Sequence, residues 1–131
     1  MIVLDTHALV WWVTDARDLS ARARRVIQTA VRRGPAVASA ISIFEIATAV
    51  RRERLKLQVS LDQWLRDLRI LPDLRLEPVT ADIAQLAGTL EPALPGDPAD
   101  RIIVATAIEL KAKLVTADTR LQQSARVQTV W

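Results

Sequence analysis

Short apolar segments alternate along this chain with segments that have the periodicity of a helix. The first of them, Ile2-Val3-Leu4, is apolar at every position and stops at Asp5. A strand without polar alternation is typical of a parallel sheet covered on both faces, and helices between strands make the crossovers of such a sheet. The predicted strands span 2–4, 36–38, 74–79, 113–116 and 127–130. The sequence therefore predicts an α/β fold, with a central parallel sheet flanked by helices.

Apolar periodicity, together with start and stop signals, predicts six helices between these strands. They span 8–13, 20–33, 42–54, 60–68, 80–86 and 98–110. Four of them begin at a hydroxyl residue that can cap the first turn, and these predicted N-caps are Ser20, Ser42, Ser60 and Thr80. The segment from 90 to 98 holds three of the six prolines, so we predict a loop there.

The size and composition of the chain exclude several classes of protein. Its 131 residues suffice for one domain with a buried core, so we expect a single domain over 1–131. A hydrophobic fraction of 50% excludes a disordered chain, and the absence of cysteine excludes disulfides and thiolate metal sites. No apolar run reaches the roughly 18 residues that cross a bilayer, and the amino terminus lacks the features of a secretory signal. We therefore expect a cytoplasmic protein that does not contact a membrane.

Four acidic residues are expected at one edge of the sheet. Asp5 directly follows the first strand, and Asp118 comes two residues after the strand that ends at Thr116. Asp100 and Glu45 lie in the predicted first turns of helices next to the same edge. Ligands of open parallel sheets bind outside the carboxyl ends of the strands. Because like charges in one cleft raise each other's pKa, a cation is expected to neutralise them.

The donor types favour a hard cation. Oxygen ligands without cysteine or a histidine pair suit Mg²⁺, or Mn²⁺ as a substitute, better than Zn²⁺. Such a site typically performs phosphate chemistry with a metal-activated water. The three glycines are far apart, which excludes a P-loop and a dinucleotide-binding fingerprint.

Most of these acids also have a structural interpretation. Ser42 and Glu45 match a capping box, and Asp97 precedes a proline in the pattern of an N-cap. Asp100 can complement a helix dipole, and Asp118 can cap the short turn that follows it. For the carboxylate that ends the first strand, the sequence suggests no such role.

Arginine dominates the cationic residues of this chain, making up 15 of the 18. Arginine suits bidentate phosphate contacts and therefore a nucleic-acid partner, although solvated helix faces explain it equally well. A single phenylalanine, the absence of tyrosine and three tryptophans in apolar helical settings leave no obvious surface for base stacking. Any nucleic-acid contact is expected mostly through phosphates. His7, the one histidine, is expected to pack or hydrogen-bond near the first helix.

Four motifs carry a resemblance to a known family. They are Ile2-Val3-Leu4-Asp5-Thr6-His7, Ser42-Ile43-Phe44-Glu45-Ile46-Ala47 continuing into Arg54-Leu55-Lys56-Leu57, Asp97-Pro98-Ala99-Asp100-Arg101, and Leu114-Val115-Thr116-Ala117-Asp118. In this order and spacing they make the chain resemble a PIN-domain protein, specifically a VapC-type toxin of a type II toxin–antitoxin pair. The resemblance implies a PIN-like α/β/α sandwich and a Mg²⁺-dependent endoribonuclease. The acids it assigns to catalysis and metal binding are Asp5, Glu45, Asp100 and Asp118, and the supporting residues are Thr6, Asp97 and Thr116.

The same resemblance implies partners. The toxin would be a homodimer, held inactive by a VapB-type antitoxin that covers the cleft. Two arginine clusters are candidate contacts to RNA or to the antitoxin, and their members are Arg22, Arg25, Arg51, Arg52 and Arg54.

The alternative to a nuclease is a non-catalytic binding module of the same fold. In such a module the acids are caps and the basic faces hold nucleic acid or protein. A phosphatase of the haloacid dehalogenase type also begins with an aspartate after the first strand. It would need a second aspartate two residues after Asp5, where this chain has His7, so this phosphatase is excluded.

Overall fold

Five parallel strands form the centre of the molecule in a computed structural model that describes residues 1–92, 97–124 and 126–131. The strands are β1 (Ile2–Leu4), β2 (Ala36–Ser39), β3 (Leu74–Glu77), β4 (Lys113–Val115) and β5 (Thr129–Val130). Their order in the sheet is β3-β2-β1-β4-β5, and every pairing is parallel. The predicted parallel sheet is confirmed.

Helices connect the strands and cover the sheet. They are α1 (Thr6–Val13), α2 (Ala21–Val31), α3 (Ile41–Arg51), α4 (Leu61–Arg69), α5 (Ala81–Thr89), α6 (Pro98–Glu109) and α7 (Thr119–Gln122). Alternate residues of β1 point to opposite faces of the sheet: Leu4 belongs to a core with α1, α2 and α4, and Val3 to a second core with α5 and α6. The helices therefore lie on both faces, which confirms the α/β/α sandwich.

The strand order reverses next to β1. From β1 the chain builds β2 and β3 on one side, and it then returns to place β4 and β5 on the other side. In an open parallel sheet the crevice for a ligand forms at such a reversal, outside the carboxyl ends of the strands. Asp5 follows β1 and Thr116 follows β4, so both lie at this point.

Several predicted boundaries need correction. Helix α1 begins at Thr6 and not at residue 8, because the Asp5 side chain caps it. Helix α3 begins at Ile41 and ends at Arg51, short of the predicted Arg54, because Glu53 adopts a positive φ of 58° that a helix cannot continue through. Helix α5 extends beyond the predicted Leu86, and β3 and β5 are shorter than predicted.

Three of the four predicted hydroxyl caps are confirmed. The side chains of Ser20, Ser60 and Thr80 each accept a backbone N–H from the first turn of their helix. The prediction for Ser42 is wrong, because Ser42 is a buried residue within α3 and the N-cap position is taken by Ala40. The predicted loop over 90–98 lies partly outside the described residues, and its last residue begins α6.

No helix in the described ranges combines the length and the apolar character that crossing a membrane requires.

Candidate active site

Asp5 is buried at the carboxyl end of β1, with only 6% of its surface exposed. Its Oδ1 atom accepts the backbone N–H of Ala8 at 2.8 Å, which makes it the N-cap of α1. Its Oδ2 atom accepts the hydroxyl of Thr116 at 2.5 Å. Burial raises the pKa of Asp5 above its ordinary value of 3.8, and these two hydrogen bonds offset part of that increase. Asp5 is thus a helix cap as well as a strand-end acid, a role that the sequence did not indicate.

Glu45 reaches the same edge from the second turn of α3, one turn later than predicted. Its Oε1 atom accepts the hydroxyl of Thr6 at 2.5 Å, and the Thr6 oxygen lies 2.8 Å from the hydroxyl of Ser42. Since the Thr6 hydrogen is used on Glu45, Ser42 is the donor to Thr6. The predicted capping box is therefore wrong, because Ser42 and Glu45 meet through Thr6 and not through the first-turn amides. Burial raises the pKa of Glu45 above 4.5.

Asp100 and Asp97 enter from the start of α6. Asp97 caps the helix, accepting the Ala99 N–H on Oδ1 at 2.8 Å, and Pro98 occupies the first turn, as predicted. Asp100 lies in that first turn with 20% of its side chain exposed. Burial, followed by the negative charges of Asp97, Glu45 and Asp118, raises the pKa of Asp100 to about 6.

Asp118 differs from the other acids because it has a cationic partner. It caps α7 by accepting the Arg120 N–H on Oδ1 at 2.8 Å, as the sequence predicted. The Arg120 guanidinium also bonds this carboxylate, with Nη2 3.0 Å from Oδ2, and this lowers the pKa of Asp118 below 3.8. The same Nη2 atom lies 4.0 Å from Oδ2 of Asp100. Arg120 was not predicted from the sequence, although its place two residues after the predicted site acid Asp118 is a signal that could have identified it.

One cavity of about 370 Å³ brings these residues together. We call it the acid cavity, and it is lined by Asp5, Thr6, His7, Glu45, Asp97, Asp100, Ala117, Asp118 and Arg120. Thr116 supports it from behind, since its oxygen also accepts the Asp118 N–H at 3.0 Å. The four acids named from the sequence therefore converge in space, together with the three residues named as their supports.

The acid cavity has the donor chemistry of a hard divalent cation. Its acidic side chains are all carboxylates, and the pKa values of Asp5, Glu45 and Asp100 are raised mainly by burial and further by neighbouring acids. In their present rotamers, no three acids within the described ranges lie close enough together to form one ligand group. Binding of one ion by three of these acids would therefore require carboxylate rotation.

The predicted arginine clusters lie in different places. Arg51, Arg52 and Arg54 line a larger cavity, about 570 Å³, that shares Thr6 and Glu45 among others with the acid cavity. The other cluster, on α2, does not join them. Arg25 lines a cavity with Met1 and Lys113, at the amino ends of the strands, and Arg22 is exposed on the same helix.

His7 is exposed in the first turn of α1, and its ring centroid is 5.4 Å from that of Trp11. It packs near the first helix as predicted, and it also lines the acid cavity.

Comparison with known proteins identifies relatives of this chain. The family model of the PIN domain matches residues 2–127. Ribonuclease VapC22 from Mycobacterium tuberculosis is 38% identical over 132 residues, which cover 99% of this chain and 98% of that protein.

Solved structures share the fold at lower identity. A toxin–antitoxin complex from Klebsiella pneumoniae aligns with a TM-score of 0.70 and 19% identity, covering 100% of this chain and 97% of that one. VapBC2 from Rickettsia felis, bound to a DNA fragment from its promoter, aligns with a TM-score of 0.72 and 17% identity, covering 99% and 98%. These structures show the shared fold, and the family model together with the M. tuberculosis relative shows that the chain belongs to the PIN domain family, among its VapC-type members.

Proposed function

We propose that this protein is a Mg²⁺-dependent endoribonuclease, the toxin of a VapBC-type pair, which hydrolyses RNA phosphodiester bonds with a metal-activated water. The observation that carries the proposal is the convergence of Asp5, Glu45, Asp100 and Asp118 in one cavity at the carboxyl edge of the sheet. The name of the relative from M. tuberculosis, a ribonuclease, supports the reaction and the substrate class.

These four acids would hold Mg²⁺, or Mn²⁺ in its place. When bound, such an ion offsets charge on a phosphoryl group and lowers the pKa of a water molecule. The chain's own contribution is to hold the carboxylates in place. Thr116 and the Ala8 N–H orient the two carboxylate oxygens of Asp5, and the Thr6 hydroxyl orients one oxygen of Glu45.

The burial of these acids also has a chemical use. Removing carboxylates from water strengthens their interaction with a cation, since charges interact more strongly at low dielectric. The cost is the desolvation of the carboxylates and, after it, their mutual repulsion, which together raise the pKa of Asp100. A divalent ion would relieve this repulsion, and Asp97 at the rim would add to the negative field that attracts it.

We further propose a VapB-type antitoxin as partner and a homodimer as the active form, acting in the cytoplasm. The antitoxin is supported by the structural neighbours, which include a toxin–antitoxin complex and VapBC2. Purifying the chain alone and co-expressed with a VapB-type antitoxin, with light scattering on both samples, tests the two assemblies.

A non-catalytic binding module is the second candidate function. The observation that favours it is that Asp5, Asp97 and Asp118 all cap helices, so each has a structural reason to be acidic. Capping does not account for Glu45 or Asp100, whose carboxylates cap no helix and whose pKa values are raised in the cavity.

The deciding experiment titrates Mg²⁺ and Mn²⁺ into antitoxin-free protein and follows the cleavage of total RNA. The comparison is the Asp5→Asn variant, in which the amide can still cap α1, and circular dichroism verifies its fold. Discrete fragments that require metal and vanish in the variant would establish the nuclease. Equal cleavage by both proteins would disprove this site, and RNA binding without cleavage would favour the binding module.

A further inference from the structure

A second cavity, of about 570 Å³, continues from the acid cavity along α3. The two cavities share four lining residues, which are Thr6, His7, Glu45 and Asp97. We call the larger one the Phe44 groove. Its apolar wall comes from α1 and α3 and includes Val10, Trp11, Ile41 and Phe44, and its far end is lined by Arg51, Arg52 and Arg54.

Phe44 is the distinctive residue of this groove. It is the only phenylalanine in the chain, it directly precedes Glu45, and 65% of its surface is exposed. A solitary exposed apolar side chain needs no explanation, but this one lines a cavity that also includes Glu45, one of the four candidate catalytic acids, and Asp97. On α1, the ring of His7 lies against Trp11 and lines the same groove. The groove thus offers an aromatic surface beside Glu45 that was not predicted from the sequence.

The charge of the groove changes along its length. The acids lie at one end, and Arg51 follows Glu45 by six residues, which is about 9 Å of helix. In the part of the chain that the structure describes, no ion pair involves Arg51, Arg52 or Arg54, so their guanidinium groups are available to an anionic ligand. An elongated ligand that carries a flat apolar group and several anionic groups would match the aromatic surface and the arginines of this groove.

We propose that the Phe44 groove seats single-stranded RNA, with one unpaired base stacked on Phe44 and the neighbouring phosphates on Arg51, Arg52 and Arg54. The inference rests on the proposed nuclease function and assigns to Phe44, Arg51, Arg52 and Arg54 the contacts that position the RNA beside the acid cavity. A base must leave its duplex to expose a face to Phe44, whereas a paired base cannot reach it. The position of Phe44 beside Glu45 places the stacked nucleotide next to the acid cavity, so this residue would help to select the cleaved bond.

Binding is tested without metal, so that no RNA is cut. The probe is a fluorescein-labelled single-stranded RNA of ten nucleotides and mixed sequence, measured by anisotropy in EDTA with the full chain. Phe44→Ala should weaken binding about tenfold, and Phe44→Trp should retain it because it keeps an aromatic face. Ile70→Ala is the matched control, since it removes a large apolar side chain that is 78% exposed but lies outside the groove. The same RNA annealed to its complement should show no dependence on Phe44.

The arginines are tested through the salt dependence of the same binding. Arg52→Ala should lower the slope of log K against log salt by about 0.7, the amount expected for one lost phosphate contact on a single strand. Arg33→Ala is the matched control, because Arg33 lines the cavity at the opposite edge of the sheet. Thermal denaturation of both variants distinguishes a binding effect from a loss of stability at the end of α3.

The outcomes separate this inference from the proposed function. RNA cleavage by the native chain, with an affinity that Phe44→Ala leaves unchanged, would overturn the groove assignment and leave the nuclease intact. Phe44-dependent binding without metal-dependent cleavage would support the groove and overturn the nuclease. Variants that lose an antitoxin but bind the RNA normally would overturn the assignment and make the groove a protein-binding surface.

Discussion

Thr116 donates its hydroxyl hydrogen to Asp5 across 111 residues of sequence, with 2.5 Å between the two oxygens. The Thr116 oxygen also accepts the backbone N–H of Asp118 at 3.0 Å. One buried hydroxyl therefore connects the acids that follow β1 and β4, at the point where the strand order reverses.

We expect Thr116→Val to destabilise the protein by about 1–3 kcal/mol, because it leaves one oxygen of the buried Asp5 carboxylate without its donor. Since that donor lowers the pKa of Asp5, the variant should also raise it further. Urea denaturation at pH 8 in EDTA measures the first effect. Thr116→Ser, which keeps the hydroxyl, is the control, and equal stability of the two variants would contradict this role.

The raised pKa of Asp100 predicts a pH-dependent stability. The folded value is about 6 against 3.8 for the ordinary group, so the unfolded chain releases this proton first as the pH rises. Ionisation of Asp100 therefore lowers the free energy of unfolding progressively as the pH rises from 3.8 to about 6. Above that range the free energy of unfolding stays lower by the full amount. Asp100→Asn should be more stable than the native chain at pH 8 by about 1–3 kcal/mol.

The comparison of Asp100→Asn with the native chain is made by urea denaturation from pH 3.5 to 8 in EDTA. Asp5 and Glu45, whose pKa values are also raised, and Asp118, whose pKa is lowered, are present in both proteins, so their contributions largely cancel. The difference should vanish below pH 4. A constant difference at every pH would mean that the change acts through packing and not through charge.

Arg120 is expected to compete with a metal ion for the carboxylates that it contacts. Arg120→Gln should tighten Mn²⁺ binding about two- to fivefold at low salt, which is the contribution of a solvent-exposed ion pair. Isothermal titration calorimetry measures the affinity independently of cleavage. Arg33→Gln carries the same charge change far from the acid cavity. An equal effect of both variants would indicate net charge alone, and no effect of either would show that Arg120 does not compete.

Arg101 has a structural role within the motif that it shares with Asp100. Its guanidinium donates to the backbone carbonyls of Ala87, Leu90 and Glu91, at and beyond the end of α5. Arg101→Met should lower the free energy of unfolding by about 2 kcal/mol, since charged donors to helix-end carbonyls are removed. Arg126→Met, which breaks an exposed pair with the Glu91 side chain, should cost under about 0.5 kcal/mol. Thermal denaturation compares the two.

The sequence by itself determined the layers of the fold and most of the acids at its edge. An apolar strand such as Ile2-Val3-Leu4 can be satisfied only by burial on both faces, so it predicts a covered parallel sheet without knowledge of its neighbours. Asp97 before Pro98 and the hydroxyl of Ser60 are local capping signals, and both were readable because a cap depends on two or three adjacent residues.

Only the tertiary structure decided how these residues meet. The bonds of Thr116 to Asp5 and of Thr6 to Glu45 join residues 111 and 39 positions apart, and no local pattern encodes such a pairing. The predicted capping box at Ser42 was wrong for the same reason, since the Ser42 hydroxyl bonds Thr6 on α1. The exposure of Phe44 likewise depends on the packing of α1 and α3. Whether a side chain is exposed depends on which other elements of the fold pack over it, and the local sequence does not specify this.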